Sequence, residues 1–141
     1  MEIYDNNPAF DSDLANISTR GFVQVADEVM IGGFMLGGNN NPTRMAVRAL
    51  GPSLTSSSLS NVLQDPTLEL HNANGTIMVS NDDWTDDPAS AAELTANGLA
   101  LPHPKESGIF TALAPPGQFT AIVAGKGGGI GIGLVEIYNL R

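Results

Sequence analysis

Hydrophobic and polar residues alternate in short runs along most of this chain, and clusters of Gly, Pro, Asn and Asp separate the runs. Alternation with period two marks a half-buried β-strand. The clearest case lies at residues 67–71, where Leu68 and Leu70 oppose Thr67, Glu69 and His71. Residues 76–80 repeat it, with Ile77 and Val79 opposed to Thr76, Met78 and Ser80. Between them, Asn72-Ala73-Asn74-Gly75 ends in an Asn-Gly pair, which tolerates the positive φ of a tight hairpin turn. Pro66 fixes its own φ and holds Asp65 extended, so the pair sets the entry. The predicted hairpin delivers a loop that carries Trp84 and a run of acids.

The rest of the chain follows the same logic. Residues 17–25 alternate, and Asp27-Glu28 makes a polar turn before a strand over 29–36. Gly32-Gly33 within that strand predicts a bulge or a close backbone approach. The loop from Gly37 to Pro42 is expected to close a second hairpin onto residues 44–50, with Met45, Val47 and Ala49 inward and Arg44 and Arg48 outward. Gly51-Pro52 ends that strand. Residues 53–64 read either as a short helix carrying Leu59, Val62 and Leu63 or as an ordered loop. Asp87 as N-cap, Pro88 at the first helical position and Asn97-Gly98 as the stop predict a short helix. Residues 99–106 are extended and broken by proline. Strands over 108–113, 118–124 and 130–140 close the chain, with a turn at residues 114–117 and a glycine-rich loop at 125–129. Ile130, Ile132 and Leu134 against Val135 and Ile137 make the last strand apolar at both parities, which predicts burial on both faces. About eight strands and one or two short helices give an all-β fold: a two-sheet antiparallel β-sandwich of jelly-roll-like type.

With 141 residues the expectation is one domain, residues 15–141, preceded by residues 1–14. That leading segment holds isolated Ile3, Tyr4, Phe10 and Leu14 among Asp, Asn and Pro, and reads as a linker or as an arm that assembles with a neighbouring subunit. The formal charge of −9, with only six Lys and Arg, argues against nucleic acid as a partner. No apolar run reaches the ~20 residues of a membrane span. There is no cysteine, hence no disulfide framework, and no signal peptide is visible at Met1.

The order ANISTRGFV, MIGGF, RALGPSL, DPTLELHNANG, NDDW and GLVEIYNL resembles a β-rich module of large secreted or surface proteins of environmental bacteria. The resemblance covers residues 15–140. It implies an extracellular or cell-surface location and no enzymatic activity. The second half is also similar to β-sandwiches of the pre-peptidase C-terminal type, some of which bind calcium. Asn72 stands where the first pattern has an acid.

The candidate chemistry is concentrated in the loop after the hairpin. Asn81, Asp82, Asp83, Asp86 and Asp87 place four carboxylates and an amide in seven positions. Calcium takes six to eight oxygen ligands, so these are candidate metal ligands. The alternative is local: Asp87 caps the helix, Asp82 or Asp83 forms an Asx-turn, and the others are solvated. EF-hand spacing is absent. Trp84 is a candidate ligand-binding platform for a glycan or, alternatively, a plug at the end of the core. His71 and His103, the only histidines, have no nucleophile and orienting acid in any recognised spacing, so no catalytic residue is assigned. Gly125–Gly129 lacks the ending of a phosphate-binding loop. Arg44 and Arg48 are expected to pair with Glu69 or Glu136. The functional expectation is a non-enzymatic structural or adhesive module, self-assembling or joined to neighbouring modules. The competing expectation is a calcium-dependent module for a carbohydrate or another surface ligand.

Overall fold

The computed structural model describes residues 15–24, 29–36, 42–57, 60–113 and 117–140. The expected assembly residues Ile3, Tyr4, Phe10 and Leu14, the turn at Asp27-Glu28, and Leu59 lie outside the described residues. Eight strands are seen: β1 (Ala15–Val23), β2 (Met30–Leu36), β3 (Thr43–Leu50), β4 (Pro66–Asn72), β5 (Ile77–Asn81), β6 (Ser107–Leu113), β7 (Gly117–Gly125) and β8 (Gly131–Asn139). One helix, α1 (Pro88–Ala96), joins β5 to β6. Short 3₁₀ turns occupy Pro52–Ser57, Trp84–Asp86 and Lys126–Gly128.

Each strand pairs antiparallel with its mirror in the chain: β1 with β8, β2 with β7, β3 with β6, β4 with β5. That is one long hairpin rolled into two layers. Pairs β3–β8 and β4–β7 then knit the sheets, in the orders β1-β8-β3-β6 and β2-β7-β4-β5. The result is a two-sheet antiparallel jelly roll. It corrects the expected second hairpin: β2 and β3 follow each other in sequence yet lie in different sheets, because β2 finds its partner in β7.

Leu68, Leu70, Met45, Val47, Val123, Val135 and Ile137 fill the space between the sheets. A second apolar cluster covers the outer face of the first sheet. Leu94 of α1 and Leu99 and Leu101 of the following segment lie there with Ala46, Leu54, Val62 and Tyr138, and Ile132 and Leu134 pack against them. This is why β8, the partner of both β1 and β3, is apolar at both parities. Burying so many aliphatic side chains supplies most of the driving force, at about 1.5–3 kcal/mol for each large one.

Local signals explain the boundaries. Asp87 Oδ1 accepts from the N–H groups of Ala89 and Ser90, and Pro88 opens the helix. Gly98 at φ 74° ends it, with Leu99 N–H reaching Leu94 C=O. In the hairpin, Gly75 at φ 80° closes the turn, and Asn72 Oδ1 accepts from Asn74 and Thr76. Gly51 has no room for a side chain, since a Cβ there would lie 2.0 Å from Leu63 C=O. Residues 53–64 combine the two readings: a 3₁₀ turn, then a short parallel bridge from Val62 to Ile132.

Two inward–outward expectations are corrected. The register between β4 and β5 slips after Leu70, so Val79 faces Leu70 while Ile77 faces His71 and is turned outward. The unpaired Met78 forms a bulge, and one extra residue reverses the facing of all that precede it. Gly32-Gly33, by contrast, continues a regular ladder with β7 and makes no bulge.

Candidate functional site

Three strand ends meet at one corner of the second sheet. Leu68 stands opposite Asn81, which puts residue 65 level with the residues just beyond β5. Pro66 stands opposite Gly125, which puts residue 65 beside Lys126. Lys126 N–H indeed donates to Asp65 C=O at 2.9 Å. Hairpin geometry thus gathers side chains that are separated by 17 and 44 positions in sequence (82 − 65 and 126 − 82).

The backbone of the corner is fastened by part of the predicted cluster. Asn81 Oδ1 accepts from Gly108 N–H, and its amide donates to Asp83 C=O, both at 3.0 Å. The fully buried Ser107 hydroxyl reaches the carbonyls of Pro66 and Asp82. Asp86 Oδ2 accepts from Asp83 N–H at 3.3 Å, and Asp87 caps α1. Asn81, Asp86 and Asp87 therefore serve the chain's own donors and acceptors. They are not gathered with the remaining two acids around one point.

Asp82 and Asp83 are gathered, together with Asp65, which the loop-centred reading left out. One carboxylate oxygen from each of the three lies within 4.8 Å of the others. The Oδ1 atoms of Asp65, Asp82 and Asp83 are buried without a hydrogen-bond partner. A buried unpaired acceptor is costly, and three of one sign are costlier still. Loss of solvent pushes the Asp65 and Asp83 carboxyls above the ordinary carboxylate range, and the Asp82 charge pushes in the same direction. Lys126 opposes the shift: its Nζ lies 2.6 Å from Asp82 Oδ2, a bond that raises the lysine's own pKa.

Two oxygens bound to one calcium at 2.3–2.6 Å can be no more than about 5 Å apart. The three aspartates satisfy that limit and present oxygen only, the donor type that calcium prefers. They fit a cation of this class, with carbonyls and water completing its shell. Beside the cluster runs an open groove of about 430 Å³, bordered by Thr67, Glu69, Ser80, Asp82, Asp86 and Asp87.

The other candidates sit elsewhere. Trp84 is half-buried and packs against the second apolar cluster; it does not border the groove. His71 Nε2 lies 2.9 Å from Glu69, and its Nδ1 lies 3.1 Å from Gly75 C=O. His103 Nδ1 accepts from Lys105 N–H. Arg48 pairs with Glu136 at 2.5 Å and lies over the Tyr138 ring, while Glu69 belongs to the other sheet.

Sequence reading also passed over Glu106. It is fully buried, and its Oε2 accepts from Gly51 N–H, Ser53 N–H and Ser53 Oγ–H at 2.9, 3.0 and 2.5 Å. Its Oε1 accepts from His103 N–H at 3.2 Å. No linear spacing marks these partners, because they come from a loop some 50 residues upstream.

Compared with known proteins, the chain matches no family model and no curated protein.

Proposed function

We propose that this chain is a non-enzymatic structural or adhesive module of the extracellular or cell-surface type, fastened at one corner by calcium and associating with copies of itself or neighbouring modules. The observation that carries the calcium reading is the set of three converging, unpartnered carboxylate oxygens of Asp65, Asp82 and Asp83. A cation there joins the start of β4 to the end of β5, and Lys126 ties the end of β7 to the same point. Few protein ligands and an exposed rim place the affinity in the range of about 10⁻⁴–10⁻³ M found in extracellular modules. Only the calcium level outside a cell fills such a site, which supports the location. The non-enzymatic reading is supported by the histidines, whose ring nitrogens are engaged by Glu69, Gly75 and Lys105.

The test is thermal unfolding in chelator and in calcium. Binding to the native state stabilises by RT ln(1 + [L]/Kd), about 2.7 kcal/mol at a hundredfold excess over Kd and about 1.4 kcal/mol at tenfold. Ten millimolar calcium is expected to raise the melting temperature by several degrees, and the Asp65→Asn/Asp83→Asn variant to show no rise. An unchanged melt of the wild-type chain would reject the site.

The groove favours a second reading, a calcium-dependent module for carbohydrate. Its hydroxyls and carboxylates suit sugar hydroxyls, and Asp82 belongs both to the groove and to the cluster. Calorimetry with a glycan panel in calcium and in chelator tests it.

A further inference from the structure

A rolled hairpin with two four-stranded sheets has four edges, and here three of them are guarded. The edge of β6 lies under α1, where Ser90 Oγ accepts from Phe110 N–H at 2.9 Å. The edge strand β5 carries the Met78 bulge and is stitched at its end to β6 through Asn81 and Gly108. The edge strand β1 is mostly polar and exposes the Arg20 charge. These are the devices that keep natural sheet edges from pairing with other chains.

The fourth edge has none of them. β2 reads MIGGFML, without charge or proline, and its ladder with β7 runs unbroken from Met30 to Leu36. No described strand pairs with its other side. Ile31 and Met35 point to solvent and are 56% and 71% exposed. A straight strand with a free row of backbone donors and acceptors selects another strand as its partner.

The order of side chains says which strand. Antiparallel pairing of β2 with a second β2 about a two-fold axis at Gly33 sets Ile31 of each copy against Met35 of the other, on the outward face. The inward face receives Gly32 against Phe34, a small residue against a large one. Such pairing is isologous and closes as a dimer with an eight-stranded continuous sheet. Gly33 itself has open space where a Cβ would stand, so nothing in the monomer explains the missing side chain. Two backbones crossing the axis at that point do explain it.

We infer that the free edge of β2 pairs antiparallel with β2 of a second copy of this chain, centred on Gly33. The inference deepens the assembly part of the proposed function by naming the contact, and its test does not depend on calcium. Seven residues per strand make a small interface, so the association is read at high protein concentration.

The experiment is light scattering and sedimentation equilibrium of the full chain, from micromolar to about millimolar. A monomer–dimer equilibrium is expected, strengthened by salt because each copy carries a net charge of −9. Gly33→Lys, which the monomer accommodates, is expected to weaken dimerisation at least about tenfold by placing two like charges across the axis. The chain has no cysteine, so Gly33→Cys provides a second readout. Directly opposed residues of an antiparallel pair lie ~4.5–5.5 Å apart at Cα, within disulfide range. Oxidation is expected to link the Gly33→Cys dimer and to leave an Ile77→Cys control, on the other edge strand, largely unlinked. A chain monomeric throughout, a dimer indifferent to Gly33→Lys, or equal linking of both cysteine variants would each overturn the inference.

Discussion

Glu106 and the Asp65–Asp82–Asp83 cluster are neighbours; Trp84, the residue after Asp83, donates its N–H to the Glu106 carbonyl at 2.9 Å. Both withdraw negative charge from water, and they resolve the cost in opposite ways. Glu106 is fully buried and accepts four hydrogen bonds, three from backbone N–H groups and one from a hydroxyl. The aspartates are only partly buried, yet each turns one oxygen inward to no donor. A carboxylate whose lone pairs the chain itself has filled is a structural clamp. Carboxylates that converge without donors call for a positive charge. Depth of burial alone would have ranked the two sites the wrong way round as candidates for binding.

The sharpest way to break this contrast is to remove the clamp. Glu106→Ala strands the N–H groups of Gly51, Ser53 and His103 inside the protein. Each buried unpaired donor costs ~1–3 kcal/mol, so a loss of about 3 kcal/mol or more is expected in the denaturant midpoint. The loss should be the same in calcium and in chelator. A loss that calcium repairs would mean the two sites act as one.

Acidity gives a smaller effect whose sign separates the two states of the cluster. In chelator, Asp65 and Asp83 have folded-state pKa values raised above the ordinary 3.8. The stability they contribute is therefore fully present below pH 3.8 and lost as pH rises through their raised values. The wild-type chain should fall below the Asp65→Asn/Asp83→Asn variant in melting temperature at neutral pH, and gain on it as pH is lowered towards 4. Calcium holds the same carboxyls ionised and reverses the trend: the wild-type chain leads at neutral pH and loses that lead on acidification. Parallel pH profiles in calcium and in chelator would show that no cation competes with protons there.

The same contrast marks what the amino-acid order discloses. Alternation, turn residues and caps predicted the β4–β5 hairpin, the ends of α1 and the double-sided burial of β8, because each depends on neighbours within a few positions. The β2–β7 pairing escaped, since a rolled hairpin joins strands some 80 residues apart and local polarity is silent on which sheet receives a strand. Four of the five cluster positions drew attention as acids in a row. Proximity in sequence then misdirected, because Asp86 and Asp87 are adjacent in the chain and occupied with capping. Asp65 was within reach of the same reasoning that predicted the hairpin. Extending the ladder backwards from Leu68 and forwards from Asn81 brings Asp65 level with the acidic loop. Glu106 offered no such route, because its donors belong to a loop that only the finished fold brings near.

Lys126 supplies the finest discrimination. Its position in a glycine-rich turn predicts an inert surface side chain, and its ammonium group is well exposed. It nonetheless supplies the positive charge held against Asp82, at 2.6 Å. In the absence of calcium that charge offsets part of the repulsion among three acids. In its presence the ammonium competes with the cation for the same carboxylate. Lys126→Ala is therefore expected to lower the melting temperature slightly in chelator while increasing calcium affinity a few-fold, an increase that shrinks as salt screens the exposed charge. Lys126→Arg should restore wild-type behaviour in both respects, since it keeps the charge. Titration calorimetry of the three proteins at low and moderate salt measures the affinity, and melts in chelator measure the stability. Equal calcium affinity for wild type and Lys126→Ala would place the cation away from Asp82. A weaker affinity in Lys126→Ala would make the lysine a support of the loop geometry, with positioning outweighing charge.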